Sequence, residues 1–419
     1  MTRTVPSALL LVTAITAANT SAQPSPTPAR KLDIARHGCE YVSRMEFSRD
    51  GSVLAIAGSG DFEPPDGVLQ LWSVADGRHI RTLRGKDADE NFALSPDGKV
   101  LAVPNYRADE IVLWDVPGGK ELHHLKHADV CVVYFSPVGN VLASISFRAG
   151  SDLERNDLLV WDTATGKQLY ATTSQPIIHT AFAADGRLLF WGYDWRLRCW
   201  DPMTRKERPP VVIPPDTEGP FTPLPSGNEV LAVDSKSGRI RLHDVTTLKV
   251  LRGFGEGKEG LFTTTSAMFA PDGIDPTDVK DLVASDAFTR DGKRLVVGLD
   301  SGRVEVWDTA TGKRLSSFDG PKRGDGVSLT EVLPDGKHIM IREPLLGSDG
   351  SEVFKGRSVY TFDGRLVRRE PDVRDVRFDP SGRSVAVVRW TPDNGDRPRE
   401  HTVTIYDAAA WLAGGAKKE

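Results

Sequence analysis

Residues 92–126 open with Phe92-Ala93-Leu94-Ser95-Pro96-Asp97-Gly98-Lys99-Val100-Leu101-Ala102-Val103. After an interval they continue through Ile111-Val112-Leu113-Trp114-Asp115 and Gly118-Gly119-Lys120 to the run from Glu121 to Leu125. Each apolar run is short, and each is closed by residues that turn the chain. In Ser95-Pro96-Asp97-Gly98 the proline presets φ, the aspartate bonds neighbouring backbone and the glycine accepts positive φ. Gly118-Gly119-Lys120 makes the next tight turn. No helical apolar period is sustained here over three or four turns, so the stretch reads as four short antiparallel strands.

The same order returns along the chain. The first turn reappears as Arg49-Asp50-Gly51, Pro137-Val138-Gly139, Ala184-Asp185-Gly186, Pro225-Ser226-Gly227, Arg290-Asp291-Gly292, Pro334-Asp335-Gly336 and Pro380-Ser381-Gly382. The aromatic that ends the third strand returns as Trp72, Trp161, Trp200, Trp307, Tyr360 and Tyr406, with His243 in one unit. Self-similarity of this kind marks a repeat architecture in which neighbouring units bury one another's faces. The expected fold is all-β: a single β-propeller of eight blades, each of four antiparallel strands. Seven blades is the alternative, should the unit near 210–245 or near 340–362 be an excursion. Lys31 to Ala35 reads as a fourth strand with no blade ahead of it, so it is expected to pair with the last blade and close the ring.

The pairs Trp114-Asp115, Trp161-Asp162, Trp200-Asp201 and Trp307-Asp308 resemble the WD dipeptide of the WD40-repeat family, and the resemblance runs from about residue 31 to 407. Trp72 holds the aromatic place in the first unit. The Gly-His dipeptide usual before the first strand of such repeats is absent, with Gly85-Lys86 and Lys126-His127 as partial stand-ins. His127 falls near the family's structural histidine. Asp66 with Trp72, and Asp194 with Trp200, keep two members of the family's buried hydrogen-bond chain. The resemblance implies a rigid scaffold that holds partners.

Composition narrows the setting. A formal net charge of −5, with no long basic stretch, gives no footprint for nucleic acid. Arg3 followed by the uncharged run Ala8 to Ala18 reads as an export signal, with cleavage after small residues and before Gln23. The run is too short to span a bilayer, so no integral span is expected once the signal is removed. The expected layout is a signal peptide at 1–22, a Pro-rich linker at 23–30, a propeller at 31–407 and a C-terminal tail at 408–419, in an exported and monomeric protein. Cys39, Cys131 and Cys199 are read as buried thiols, although one disulfide of unspecified pairing stays open.

Insertions fall in one class of connection. Turns between strands one and two, and between three and four, stay tight. Long segments join strands two and three or link successive blades: Ser59 to Asp66, Ser146 to Asp157, Gly253 to Phe288, Glu343 to Gly356 and Thr391 to His401. In an up-and-down blade these all emerge on one face, where variable loops concentrate function. Phe62, Phe147, Arg148, Arg155, Trp195, Trp390, Arg397 and Arg399 are its candidate partner-binding residues, because aromatic and Arg side chains supply much of the energy of interfaces.

Other clusters are read more plainly. Asp272, Asp275, Asp278 and Asp281 have the carboxylate density of a Ca²⁺ site but not its loop pattern, and the preferred reading is a helix start at Asp275-Pro276. His123 and His124 point to opposite faces of a strand, so no zinc is assigned to them with His127. The seven prolines from Pro209 to Pro225 are read as stiffening a blade-to-blade crossing. No phosphate loop, nucleophile elbow or zinc-protease helix is present. The expected function is a non-catalytic scaffold, without cofactor or metal, that binds a protein. The alternative is a cell-envelope enzyme or carbohydrate-binding protein with its site at the axial funnel.

Overall fold

The computed structural model describes residues 29–414 except 61–66, 85–90, 106, 147–156, 173–176, 193, 235–238, 256–260, 262–282, 300, 322–328, 347–351, 372 and 391–399. The strands form eight separate antiparallel sheets, seven of four strands and one with a split outer strand. Blades 1 to 8 begin at Tyr41, Ala93, Val130, Ile177, Thr217, Val283, Leu329 and Val373. Both units that left seven blades open, 217–253 and 329–371, are complete blades. First strands of neighbouring blades lie beside one another and line the axis.

The ring closes as expected. Arg30–Leu32 is the fourth strand of blade 8, with Arg30 opposite Ile405 and Leu32 opposite Val403. Residues 408–413, read from the sequence as the start of a tail, instead form helix α1 (Ala408–Ala413), capped by Asp407, whose side chain accepts from Ala410 N. The alanines favour helix and Asp407 satisfies an otherwise unbonded N–H. Trp411 then packs edge-on against Phe378, at 5.6 Å, with the Arg368 guanidinium over its ring.

Apolar packing sits between blades. Eight buried clusters each join two successive blades. At the seam, Leu32 and Ile34 pack with Val403 and Ile405 of blade 8 and with Leu54, Ile56 and Trp72 of blade 1. The aromatic at the end of each third strand faces the preceding blade: Trp114 joins the blade 1–2 cluster, Trp161 the blade 2–3 cluster and Trp307 the blade 5–6 cluster. Both faces of a sheet are therefore buried, which explains the nearly continuous apolar runs.

The repeated turns are locked by their own carboxylates. Asp162 Oδ1 accepts from Ala164 N and Thr165 N, both at 3.1 Å, and Asp244 Oδ1 from Thr246 N at 3.0 Å and Thr247 N at 2.8 Å. Asp308 accepts from Thr311 N at 2.7 Å. The Arg208 guanidinium, with the turn amides, holds Asp201 below the ordinary carboxylate range, and the Thr246 and Thr311 hydroxyls, with those amides, do the same for Asp244 and Asp308. The glycine of the turn between strands one and two has positive φ in all eight blades. Its counterpart between strands three and four is replaced by Arg205 in blade 4 and Leu248 in blade 5, at φ 54° and 53°.

The prolines divide one strand instead of merely crossing between blades. The outer strand of blade 4 is split into Lys206–Glu207 and Val211–Val212, because Pro209 and Pro210 have no N–H for the ladder. Pro220 and Pro223 lie within the first strand of blade 5, whose register shifts between Glu218 and Thr222.

Candidate functional site

The strand ends place the long connections where the sequence put them. Stretches 60–66, 147–157 and 391–400 join second to third strands in blades 1, 3 and 8, and 254–282 links blade 5 to blade 6. Blade 7 differs. Much of Glu343 to Gly356 is an extension of the hairpin, with Glu343 paired to Gly356 and Leu346 to Glu352. Phe62, Phe147, Arg148, Arg155, Arg397, Arg399, Asp66 and the 272–281 aspartates lie outside the described residues.

Two of the predicted partner-binding residues are described. Trp195 follows the second strand of blade 4 with φ 54° and is 56% exposed. Its backbone is fixed from both sides, since its N–H donates to Gly192 O at 3.2 Å and its carbonyl accepts from Ile213 N at 2.8 Å. A held backbone presents the indole with little ordering left to lose on binding. Trp390 ends the second strand of blade 8 opposite His401, with ring centroids 4.1 Å apart, and remains 40% exposed.

His401 ties this position to the ring closure. Its Nδ1 accepts from Val42 N at 2.6 Å, and its backbone N–H donates to Glu40 O at 2.7 Å. Burial, reinforced by Arg374, pushes the imidazole down to about 4. A groove of about 410 Å³ lies alongside, between Lys31–Ala35 and Glu400–Thr402, where the closing strand ends and the third strand continues.

The sequence reading missed a charged group at the axis. Arg44 bonds Glu46 in blade 1 at 2.6 Å, while Asp375 of blade 8 bonds Arg377 at 3.0 Å and Arg357 of blade 7 at 3.3 Å. Arg377 acts on both Glu46 and Glu331, so the three blades share one field. Burial raises both glutamates, Glu331 to about 7, and Glu331 Oε1 has no hydrogen-bond partner among the described residues. The three share one place in the fold: Arg44, Glu331 and Asp375 each stand just past the recurring register shift of a first strand.

The histidine trio divides among three partners. His123 Nε2 meets Ala164 O at 3.1 Å and His124 Nδ1 meets Glu110 at 2.9 Å, while His127 Nδ1 meets Ser144 Oγ at 2.7 Å. The indole N–H of Trp161 donates to the same Ser144 oxygen at 2.8 Å, so blade 3 holds a buried Trp–Ser–His chain. Other blades answer the indole differently. Trp72 donates to Gln70 at 3.0 Å and Trp307 to Glu305 at 3.1 Å, each two residues upstream on the same strand face. The corresponding residue in blade 4 is Arg198, which cannot accept, and Trp200 Nε1 has no partner among the described residues. Asp194, expected to serve Trp200, pairs with Arg198 instead. Among the described residues no group of three or more His, Cys, Asp or Glu is placed to hold a metal ion. All three cysteines are free thiols, with burial pushing Cys39 up to about 12 and Cys131 to about 11. No described helix is long and apolar enough to cross a membrane.

No protein-family model matches the chain. It is 33% identical over 86 residues to the small ribosomal subunit protein RACK1 of Caenorhabditis elegans, covering 20% of this chain and 24% of that one. Against the RACK1 of Drosophila melanogaster it is 27% identical over 175 residues, covering 38% of this chain and 51% of the other. The chain therefore spans about half or less of the length of these relatives. Among solved structures, the computationally designed Ika8 protein superposes with a TM-score of 0.53 at 17% identity, covering 90% of this chain and 98% of that one, a likeness of fold alone. The chain is an eight-bladed β-propeller whose Trp-Asp turns and partial likeness to RACK1 are similar to those of WD40-repeat proteins.

Proposed function

We propose that the protein is an exported, non-catalytic scaffold that holds a protein partner on the face carrying the long second-to-third-strand connections. One observation carries the reading. The tight turns are held at positive φ and most are bonded by their own carboxylates, whereas the long connections leave the opposite strand ends. Three of them belong to blades 8, 1 and 3, and Trp195 stands in the corresponding connection of blade 4. Exposed indoles on fixed backbone are the side chains from which interface hot spots are built. The resemblance to RACK1, named as a ribosomal subunit protein, accords with a role inside an assembly. The net charge of −5 favours a protein partner over nucleic acid.

The test is a pull-down from envelope extract with the mature protein, Trp195→Ala and the triple change Trp390→Ala, Arg397→Ala and Arg399→Ala. A partner held by the parent and lost by folded variants supports the face. Equal recovery by all three removes it and moves the charged axis ahead. Mass spectrometry of the secreted chain tests export, with cleavage before Gln23 expected.

A further inference from the structure

The N-terminal closure carries a feature that neither scaffold binding nor blade packing explains. After the closing strand the chain makes a 3-10 turn at Ala35–His37. There the His37 ring lies flat on the ring of His79, in the fourth strand of blade 1, with centroids 3.6 Å apart and planes at 8°. Trp72 meets both imidazoles edge-on, at 5.4 and 5.1 Å. His79 Nε2 is bonded to Thr82 Oγ1 at 2.8 Å, and Gln70 Nε2 holds Ile34 O at 2.9 Å. The stack thus bridges the segment that closes the ring to the first blade. Both rings are half-buried, so water and protons reach them.

From these contacts we propose that the His37–His79 stack is an acid-released clasp on the ring closure. Two neutral imidazoles, or one neutral and one charged, stack without penalty. Two imidazolium rings at this separation repel, and little nearby would neutralise them. The closing turn brings Arg36 with Asp33, the fourth strand brings Arg81 and Arg84, and the preceding turn brings Arg78 paired to Asp76. Trp72, Gln70 and Thr82 are neutral. Cations outnumber carboxylates around the pair, and Arg84 already donates to His37 O at 3.2 Å. Burial, together with the charge of His37, lowers the affinity of His79 for its proton. Release would loosen residues 33–40, of which Asp33, Ile34 and Ala35 line the groove beside His401.

Backbone hydrogen exchange on the full chain at pH 7.5 and 5.5, corrected for intrinsic chemistry, tests this. His37, Gly38 and Cys39, whose amides are bonded within the turn, should exchange up to about tenfold faster at pH 5.5, the ratio set by one pH unit below the free imidazole value. Leu231 and Ala232 in blade 5 report global stability, and in His79→Phe they should keep the parent's acid change while the turn loses its own, which separates local release from global unfolding. His79→Phe keeps an aromatic stack without a proton site and should abolish the acid response. Should that variant fold poorly, His37→Phe makes the same test. An unaltered response in the folded Phe variant, or none in the parent, would overturn the clasp.

Discussion

Replacing His127 by Leu should reduce the stability lost between pH 7.5 and 5.0 by about 2 kcal/mol. His127 is buried at 4% exposure, and its Nδ1 faces the Ser144 hydroxyl that accepts the Trp161 N–H. The Ser144 hydroxyl can accept from both Trp161 and an Nδ1–H or donate to a bare Nδ1, and a buried ring with no carboxylate partner is favoured in its neutral form. Burial pushes the folded imidazole down to about 4, with Asp129 opposing only weakly. The unfolded value is near 6.5. A folded value depressed below the unfolded one means that unfolding takes up a proton between those limits. The stabilisation is complete above about 6.5 and is lost as pH falls towards 4. His401, also pushed to about 4, obeys the same sign, so the two together remove about 4 kcal/mol by pH 5.0. That is a large share of the roughly 5–15 kcal/mol typical of a domain. Urea midpoints at the two pH values, in the parent and in His127→Leu, give the comparison. The variant will be weaker at pH 7.5, because a packed hydrogen bond is gone, but its acid decrement should be the smaller. If parent and variant lose the same amount, His127 is not held neutral by burial. His124→Gln serves as control: His124 is half-exposed and raised by Glu110, so its contribution is present at low pH and lost as pH rises.

Arg205→Gly should raise stability by about 0.5–1 kcal/mol in thermal or urea melts, because Arg205 is held at φ 54° where glycine is unstrained. The ion pair that this change removes, 3.5 Å to Asp162 on an exposed surface, is worth little. Trp411→Ala should cost about 3 kcal/mol and mainly speed exchange of blade 8 amides, since Trp411 caps the cluster between blades 7 and 8. Glu305→Leu should cost about 3 kcal/mol in urea melts, because it removes the buried acceptor shared by Arg303, Arg314 and the Trp307 indole, while Glu305→Gln should cost less.

The turn carboxylates show why so much of the ring could be read in advance. Asp97, Asp162, Asp244 and Asp308 act on backbone two or three residues away, so their effect is a local property of four or five letters. Strand order followed because each such turn repeats in register. The partner of the tryptophan N–H was not local in that sense. Ser144 lies 17 residues from both His127 and Trp161, and only the folded blade brings the three together. Where the acceptor is local, as with Gln70 and Glu305, alternation along the strand would have found it. The axial charges were overlooked for a related reason. Arg44, Glu331 and Asp375 sit in different blades and become neighbours only when the first strands line the axis. The helix at 408–413 was missed because a Trp-Asp-like end normally leads to a tight turn, whereas Tyr406-Asp407 is followed by three alanines.

The two candidate working regions differ in how their polar groups are occupied. Around the axis most charges are already engaged: Asp375 serves two arginines, and Arg44 is bound to Glu46 and lies over Phe92. Glu331 has one oxygen without a partner among the described residues and a proton affinity near neutrality. A ligand there would have to compete with Arg377 for a carboxyl that is only partly ionised, which limits what such a site could add to binding. At Trp195 and Trp390 nothing must be displaced. Both indoles reach solvent from anchored backbone, so apolar burial is gained directly, at about 25 cal/mol for each Å² covered. His401 links that gain to the closure, because the ring packed against Trp390 also accepts from Val42 across the seam. A partner covering Trp390 therefore presses on the joint between the last blade and the first. Binding should slow exchange of the Val42 amide as well as amides near the interface, a coupling that a site at Trp195 alone would lack.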